Sequence, residues 1–337
     1  MPKYQATLDY LKDHKKKWLI TGVGGFIGSN LLEKLLKLDQ SVIGIDNFST
    51  GYKDNLKSVK NSVDKEQWEN FSLIEGDIKD LEICQQGCDG VDYVLHQAAL
   101  GSVPRSIKDP LNTNISNVDG FLNILVAARD SAVKNFIYAA SSSTYGDHPD
   151  LPKKEHLIGN PLSPYAVSKY VNELYASVFS RTFRINTVGL RYFNVFGKRQ
   201  DPKGSYAAVI PRWIDAFIKN EPVYIFGDGS TSRDFCYIEN VIQANLLAAI
   251  SENLSESGEI FNIAVGDRTT LNQLTDIIKK SLPSNSESNI IFEDFRDGDV
   301  KHSQADISKA KKLLGYEPYY NVEQGISETI NWFLTES

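Results

Sequence analysis

Tyr165 and Lys169 stand four residues apart in Ser163-Pro164-Tyr165-Ala166-Val167-Ser168-Lys169-Tyr170, shortly after the run Ser141-Ser142-Ser143-Thr144-Tyr145. Four apart on a helix, a phenol and an ammonium project from one face. A phenol's ordinary pKa of about 10 is too high for a base at neutral pH. A cation about 4 Å away, at an effective dielectric near 20, is worth roughly 4 kcal/mol, or about three pK units at most. That shift makes Tyr165 a usable general base, so the pairing predicts a phenol drawn downward by Lys169. Alone, the spacing more often marks a half-buried tyrosine beside a solvated lysine. The elements around it must decide.

The helix that carries the pair is well marked. Ser163 suits the N-cap and Pro164 the first turn, where a missing N–H is not needed. Val171, Leu174, Tyr175, Val178 and Phe179 continue it. Upstream, a buried strand over 18–21 runs into Gly22-Val23-Gly24-Gly25-Phe26-Ile27-Gly28 and a helix over 29–38. A second strand, 41–46, ends in Asp46, eighteen residues after Gly28. Strand, glycine loop, helix, strand and acid form the dinucleotide-binding signature in its proper context. The glycines admit a pyrophosphate to a helix N-terminus, whose N–H groups and dipole favour an anion. Asp46 can accept from ribose hydroxyls and would repel a 2′-phosphate, which selects NAD over NADP.

The alternation continues. Strand 71–75 ends at Gly76-Asp77-Ile78, and strand 92–96 ends at Gln97-Ala98-Ala99. A helix over 114–129 precedes strand 135–140, which delivers the serine run, and strand 185–190 ends in Arg191-Tyr192-Phe193-Asn194. Repeated βα units predict an α/β fold, a Rossmann doubly wound parallel sheet with ligands at the carboxyl ends of its strands. The noteworthy polar residues all fall at those ends. After about Arg199 the texture changes to a smaller C-terminal α/β substrate-binding lobe. It holds a helix opening at Gly204-Ser205-Tyr206, a strand over 223–226, the loop 227–234, helices from Ile238 and Leu271, a strand near 260–263, a surface loop over 281–288, and a final pair, 307–314 and 322–334. The expected divisions are a helical extension at 1–16, an NAD-binding domain at 17–199 and a sugar-nucleotide lobe at 200–337, with the chain free to cross back between them.

At 337 residues, 41% hydrophobic and 23% charged, the chain has ample material for a soluble core. A net charge of −7 and a pI near 5.4 argue against a nucleic-acid or anionic-membrane surface. No apolar run reaches spanning length and the first twenty residues are too polar for a signal peptide, so a cytoplasmic location is expected. Cys84, Cys88 and Cys236 are too few for a disulfide frame. His96, His148 and His156 lack carboxylate or cysteine company at ligand spacing, so no metal site is expected.

Taken in order, Gly22-x-x-Gly25-x-x-Gly28, Asp46-Asn47-Phe48-Ser49, Gly76-Asp77-Ile78, Gln97-Ala98-Ala99, the serine run, Tyr165-x-x-x-Lys169 and Arg191-Tyr192-Phe193-Asn194 resemble the extended short-chain dehydrogenase/reductases of the nucleotide-sugar epimerase branch. The resemblance covers essentially everything after residue 16. In detail it is similar to the bacterial UDP-N-acetylglucosamine 4-epimerases that serve surface-polysaccharide synthesis, including a variant acting on the 6-uronic acid.

The resemblance implies tightly bound NAD, with Ser141, Tyr165 and Lys169 as the catalytic residues. Tyr165 takes the proton of the sugar 4-hydroxyl, Lys169 holds the nicotinamide ribose and lowers the phenol's pKa, and Ser141 hydrogen-bonds the reacting oxygen. It implies cofactor contacts from Gly22, Gly25, Phe26, Ile27, Gly28, Asp46, Asn47, Ser49, Gly51, Asp77, Ile78, Gln97, Ala98, Ala99, Asn117, Tyr165, Lys169 and Tyr192. Asn194, Arg233, Arg296 and Asp299 resemble the ligands of diphosphate and ribose, Ala208, Val209, Tyr224 and Phe226 those of the uracil, and Ser102, Ser142, Ser143, Tyr165, Gln200 and Ser303 further substrate contacts. Arg105 is a candidate partner for a C6 carboxylate, and equally an exposed structural arginine.

Two positions bear on the reaction. Related 4,6-dehydratases carry Asp-Glu where this chain has Ser142 and Ser143, so it lacks the acid for dehydration. Ser303 stands where epimerases confined to non-acetylated hexoses carry a bulky Tyr, which leaves room for a 2-acetamido group. The expectation is 4-epimerisation of UDP-N-acetylglucosamine and UDP-N-acetylgalactosamine. The alternatives are the same reaction on the N-acetylated uronic acid or on UDP-glucose and UDP-galactose, a net oxidoreductase, and a non-catalytic NAD-binding regulator. Apolar stripes on helices 114–129 and 163–179 fit a homodimer through a four-helix contact, or an ordinary sheet-facing core.

Overall fold

The computed structural model describes residues 3–204, 207–251, 258–283, 286–295 and 301–336. Its centre is a seven-stranded parallel sheet of β1 (Lys17–Thr21), β2 (Ser41–Asp46), β3 (Phe71–Glu75), β4 (Tyr93–His96), β5 (Asn135–Ser141), β6 (Thr187–Tyr192) and β7 (Glu259–Ile263). The spatial order is β7-β6-β5-β4-β1-β2-β3. Strand order reverses between β1 and β4, whose last residues pair as Thr21 with His96. A crevice opens beyond such a reversal, and it is where a doubly wound sheet binds its ligand.

The inner strands are buried on both faces, which is why they read as apolar runs rather than alternations. β4, β5 and β6 are buried throughout, and β1 from Trp18 onward. The helix Phe26–Leu36 lays Leu31, Leu32, Leu35 and Leu36 against the sheet. It begins three residues earlier than the sequence reading placed it, within the glycine loop itself. The N-terminal helix Lys3–Asp13 buries Tyr4, Thr7 and Leu11, a 3-4 spacing, and the Gln40 amide fastens it by donating to the Leu11 carbonyl at 2.7 Å.

β7 comes from the second half of the chain, and the almost wholly buried helix Ile238–Ile250 packs against β4, β5 and β6. The chain therefore returns to the central sheet after residue 200. Outside that sheet, the helix Val209–Lys219 and the strand Val223–Phe226 stand beside the parallel strand Ile290–Glu293 and the helix Leu271–Ser281. Two short pairings, Val195–Phe196 with Cys236–Tyr237 and Ser232–Arg233 with Thr269–Thr270, join this lobe to the sheet's carboxyl edge.

The helix expected over 114–129 differs. It is three segments: an α-turn Pro110–Asn114, a π-segment Ile115–Asp119 and an α-helix Gly120–Asp130, with the Gly120 N–H reaching back to the Ile115 carbonyl. Such wide turns re-aim side chains and are frequent at functional sites. Here the segment puts Ser116 on a cleft and buries Asn117.

Candidate active site

The glycine loop is shaped by contact. Gly22 has φ +71°, and a Cβ there would lie 2.8 Å from the Ala98 nitrogen. A Cβ on Gly28 would fall 2.1 Å from the Gly22 carbonyl oxygen. Both positions admit only hydrogen. Asp46 is buried, and its two oxygens accept from the Gly24 N–H at 2.8 Å and the Phe48 N–H at 2.7 Å. Burial pushes its carboxyl upward and these two donors oppose that.

Around this loop lies a cleft of about 330 Å³ at the reversal point of the sheet. The cofactor residues named from the sequence, from Gly22 through Ala99, all line it. Ile45, Thr50, Gly76, Leu100, Gly101 and Ser116 line it too and were not named. Asn117, Tyr165, Lys169 and Tyr192, also named as cofactor contacts, are not among the lining residues. Asn117 accepts from the Leu100 N–H at 2.7 Å and donates to the Leu100 carbonyl and the Ser168 hydroxyl. The Tyr192 hydroxyl bonds Gln97 and Asn245. Their side chains hold the residues that line the cleft.

Tyr165 and Lys169 come from the helix Pro164–Phe183, capped by Ser163, whose hydroxyl accepts from the Ala166 N–H at 3.1 Å. Ser141 ends β5, and the 3-10 turn Ser142–Tyr145 follows directly. Ser141 is the side chain beside the Tyr165 phenol that favours its ionised form. The serine oxygen accepts from the Ser143 N–H at 3.1 Å. Lys169 is 2% exposed, and its Nζ donates to the Ala139 carbonyl at 2.8 Å, 6.0 Å from the Tyr165 ring centre. The three residues named for catalysis are thus brought together.

The electrostatics correct one expectation. Burial pushes the Tyr165 phenol above its ordinary pKa, and Ser141 opposes that. Lys169 makes its hydrogen bond elsewhere than to the phenol. Its ammonium is held by a backbone carbonyl, and its own pKa falls to about 8 through burial, against the pull of Glu173. His96, at the end of β4, is held neutral: burial pushes it down to about 3 and its Nδ1 bonds the Thr21 hydroxyl at 2.8 Å.

A second cleft, of about 170 Å³, lies in the C-terminal lobe. Asn194, Val209, Tyr224, Phe226 and Arg233 line it, all named from the sequence. Ala207, Arg212, Trp213, Thr231, Phe235 and Leu271 were missed. A signal was present for two of them, because Arg212 and Trp213 stand three and four residues after Val209 on one helix. Ala208 is exposed as the N-cap of that helix, outside the lining.

The remaining candidates are scattered. Gln200 lines a third cleft with Tyr52 and Asp201, and its amide donates to the Val195 carbonyl at 3.2 Å. Ser102 adopts φ +92° as an N-cap, a strained conformation for a residue with a side chain, and its hydroxyl accepts from the Arg105 N–H. The Ser303 N–H donates to the Ser232 carbonyl at 3.0 Å, beside Arg233. Arg296 and Asp299 lie outside the described residues.

The profile of the NAD dependent epimerase/dehydratase family matches residues 18–264, spanning the glycine loop, the serine turn and the Tyr165 helix. The chain belongs to this family. It is 32% identical over 321 residues to a UDP-glucose 4-epimerase of Mycolicibacterium smegmatis, covering 95% of this chain and 99% of that one. It is 33% identical over 319 residues to a UDP-glucuronate 4-epimerase of Thermodesulfobacterium geofontis, covering 94% and 95%. Among solved structures, a UDP-N-acetylglucosamine 4-epimerase from Methanobrevibacter ruminantium, in complex with UDP-N-acetylmuramic acid, matches with a TM-score of 0.87 and 38% identity over 96% of this chain and 99% of that one. A UDP-glucuronic acid 4-epimerase from Bacillus cereus, in complex with UDP-glucuronic acid and NAD, matches with a TM-score of 0.83 and 31% identity, covering 95% and 100%.

Proposed function

We propose that this protein is an NAD-dependent UDP-sugar 4-epimerase whose substrates are UDP-N-acetylglucosamine and UDP-N-acetylgalactosamine. The observation that carries the reading is the grouping of Ser141, at the end of its strand, with Tyr165 and Lys169, one turn apart on their helix, at the carboxyl edge of a sheet whose reversal point forms a glycine-floored cleft. The cradle fits a dinucleotide: Gly22 and Gly28 leave no room for a Cβ, and each Asp46 oxygen keeps a lone pair beyond its backbone bond. When bound, NAD supplies the acceptor and later the donor of the hydride at C4 of the sugar.

The chain's own residues do the rest. Tyr165 as phenolate takes the proton from the 4-hydroxyl as the C4 hydride leaves, giving a 4-keto sugar. With the hydride that bound NAD would supply to the ketone's other face, Tyr165 gives the proton back to oxygen. Nothing is oxidised or reduced overall. Ser141 donates to the reacting oxygen, and Lys169 favours the anionic phenol. Arg233 and Asn194 in the second cleft suit the diphosphate, with Tyr224 and Phe226 for the base. Two copies associate through Ile107, Leu111, Val167, Leu174 and Val178, which are exposed on the helices Val103–Lys108, Pro110–Asn114 and Pro164–Phe183.

The deciding experiment denatures purified protein, identifies the released nucleotide, and measures turnover of UDP-N-acetylglucosamine, UDP-glucose, UDP-glucuronate and the N-acetylated uronic acid. Released NAD and preference for the acetylated hexose support the reading. Preference for a plain hexose or a uronic acid reassigns the substrate, and stoichiometric NADH release replaces the isomerase with an oxidoreductase.

A further inference from the structure

Glu173 lies one turn beyond Lys169 and is 5% exposed. Arg191 grips it at two points, Nε donating to Oε1 at 2.8 Å and Nη2 to Oε2 at 2.7 Å. The Thr144 hydroxyl, from the 3-10 turn after Ser141, donates to Oε1 at 3.4 Å. Arg191 is itself tied down: Nη1 donates to the Glu155 carbonyl at 3.0 Å, and the guanidinium lies 4.7 Å over the Tyr145 ring. One carboxylate thus joins the helix of Tyr165 and Lys169, the serine turn and the end of β6. A buried ion pair is a poor source of stability, because desolvating both charges offsets much of their attraction. Its place beside the catalytic groups calls for another reason.

Charged and titratable groups stand on the elements around Lys169. Its own helix supplies Tyr165 and Glu173, and β5 supplies the Ala139 carbonyl and the buried Tyr138. β4 supplies His96, neutral through burial, and β6 supplies Arg191. The serine turn offers the Ser141 hydroxyl and Tyr145, whose phenol donates to Asn262 at 2.6 Å. On the outer helices Asp119 is exposed, Arg105 is half-buried, and Arg129 lies over the Phe183 ring at 4.8 Å near the far end of the Tyr165 helix. Glu173 is the carboxylate whose charge bears on Lys169 and opposes the effect of its burial.

We propose that Glu173, braced by Arg191, is a positioning residue for the epimerase reaction: its carboxylate is the counter-charge that keeps Lys169 an ammonium beside Tyr165, and its bonds lock the serine turn to the catalytic helix. This rests on the function proposed above. Tyr165 and Lys169 titrate as a pair, and the working form carries one proton between them, phenolate with ammonium. A negative charge one turn away favours the proton-bound forms at both steps. Removing it moves both limbs of the pH–rate profile toward acid, and the uncompensated Arg191 pushes the same way.

The test follows UDP-sugar turnover against pH for the parent, Glu173→Gln, Glu173→Asp and the neutral pair Glu173→Gln/Arg191→Gln, with bound NAD measured in each. Both limbs of Glu173→Gln are expected to fall by about half a pH unit or more. Glu173→Asp, which keeps the charge, returns toward the parent profile. The neutral pair shifts in the same direction by less, and it serves where the single variant does not fold. A profile that keeps the parent's limbs and changes only in height, in either neutralised protein, reduces Glu173 to a structural brace and overturns the inference. A parent that turns over no UDP-sugar overturns the proposed function, and the inference with it.

Discussion

The Lys169 ammonium donates to the Ala139 carbonyl at 2.8 Å, so the cation of the catalytic pair is fastened to the central sheet rather than to the phenol beside it. Its pKa of about 8 lies below the ordinary 10.5, so burial of the charge weighs against folding. The sign follows from proton counting. Between about pH 8 and 10.5 the unfolded chain binds the extra proton, so stability rises with pH across that window and is lost as pH falls through 8. Lys169→Met removes a buried charge and leaves the Ala139 carbonyl without its donor. Nucleotide-stripped Lys169→Met is expected to be about 1–2 kcal/mol more stable than the parent at pH 7. The advantage shrinks toward pH 10 while turnover collapses. Thermal melts at the two pH values check this, and an equal difference at both refutes it.

Tyr165→Phe removes the proton acceptor but little volume. Turnover is expected to fall by about 10²–10⁴, with bound nucleotide retained. Ser141→Ala removes the hydroxyl beside the phenol and leaves the Ser143 N–H without that acceptor, so a smaller loss is expected, chiefly in kcat. Parent-like rates for Tyr165→Phe would favour a non-catalytic nucleotide-binding protein.

The glycine loop has less tolerance. Gly28→Ala places a methyl 2.1 Å from the Gly22 carbonyl and must part the loop from its helix. The variant is expected to purify without dinucleotide. Asp46→Ala leaves the Gly24 and Phe48 N–H groups without acceptors, at about 1–3 kcal/mol for each that stays buried. Calorimetric titration with NAD checks both, and parent-like affinity in either contradicts the assigned cleft.

The sequence revealed the strand ends well, because each ends an apolar run at a polar residue: Thr21, Asp46, His96 and Ser141 all close strands within a residue of their expected positions. It revealed poorly whatever lacks periodic apolar residues. The helix Lys53–Asn61 buries only Leu56 and Val59, and Val103–Lys108 only Ser106. Nothing in the residues 115–119 announces a π-turn, and the bonds that Asn117 makes there reach Leu100 and Ser168, distant in sequence. The raised phenol was missed for a similar reason: spacing tells that Tyr165 and Lys169 share a face, but not that the ammonium turns to Ala139.

The proposed dimer face is open to a direct test. Leu111 is 77% exposed and Leu174 is 50% exposed, on neighbouring helices. A glutamate at either position costs little in an isolated chain but buries a charge in a helix-to-helix contact. Leu111→Glu and Leu174→Glu are expected to sediment as monomers where the parent sediments as a dimer. A parent that is monomeric at micromolar concentration removes the dimer from the proposal.

Ser303 offers the sharpest test of substrate choice. Its N–H is bonded to the Ser232 carbonyl, which fixes its backbone one residue from Arg233 and the lining of the second cleft. Ser303→Tyr adds a ring without disturbing that backbone bond, so the expected loss is steric rather than a failure to fold. If the space there takes the 2-acetamido group, turnover of UDP-N-acetylglucosamine falls at least tenfold, which corresponds to about 1.4 kcal/mol of lost transition-state binding. Any activity on UDP-glucose is spared. Side-by-side kcat/KM values for the two sugars give the answer, since an equal loss on both means Ser303 does not discriminate between them.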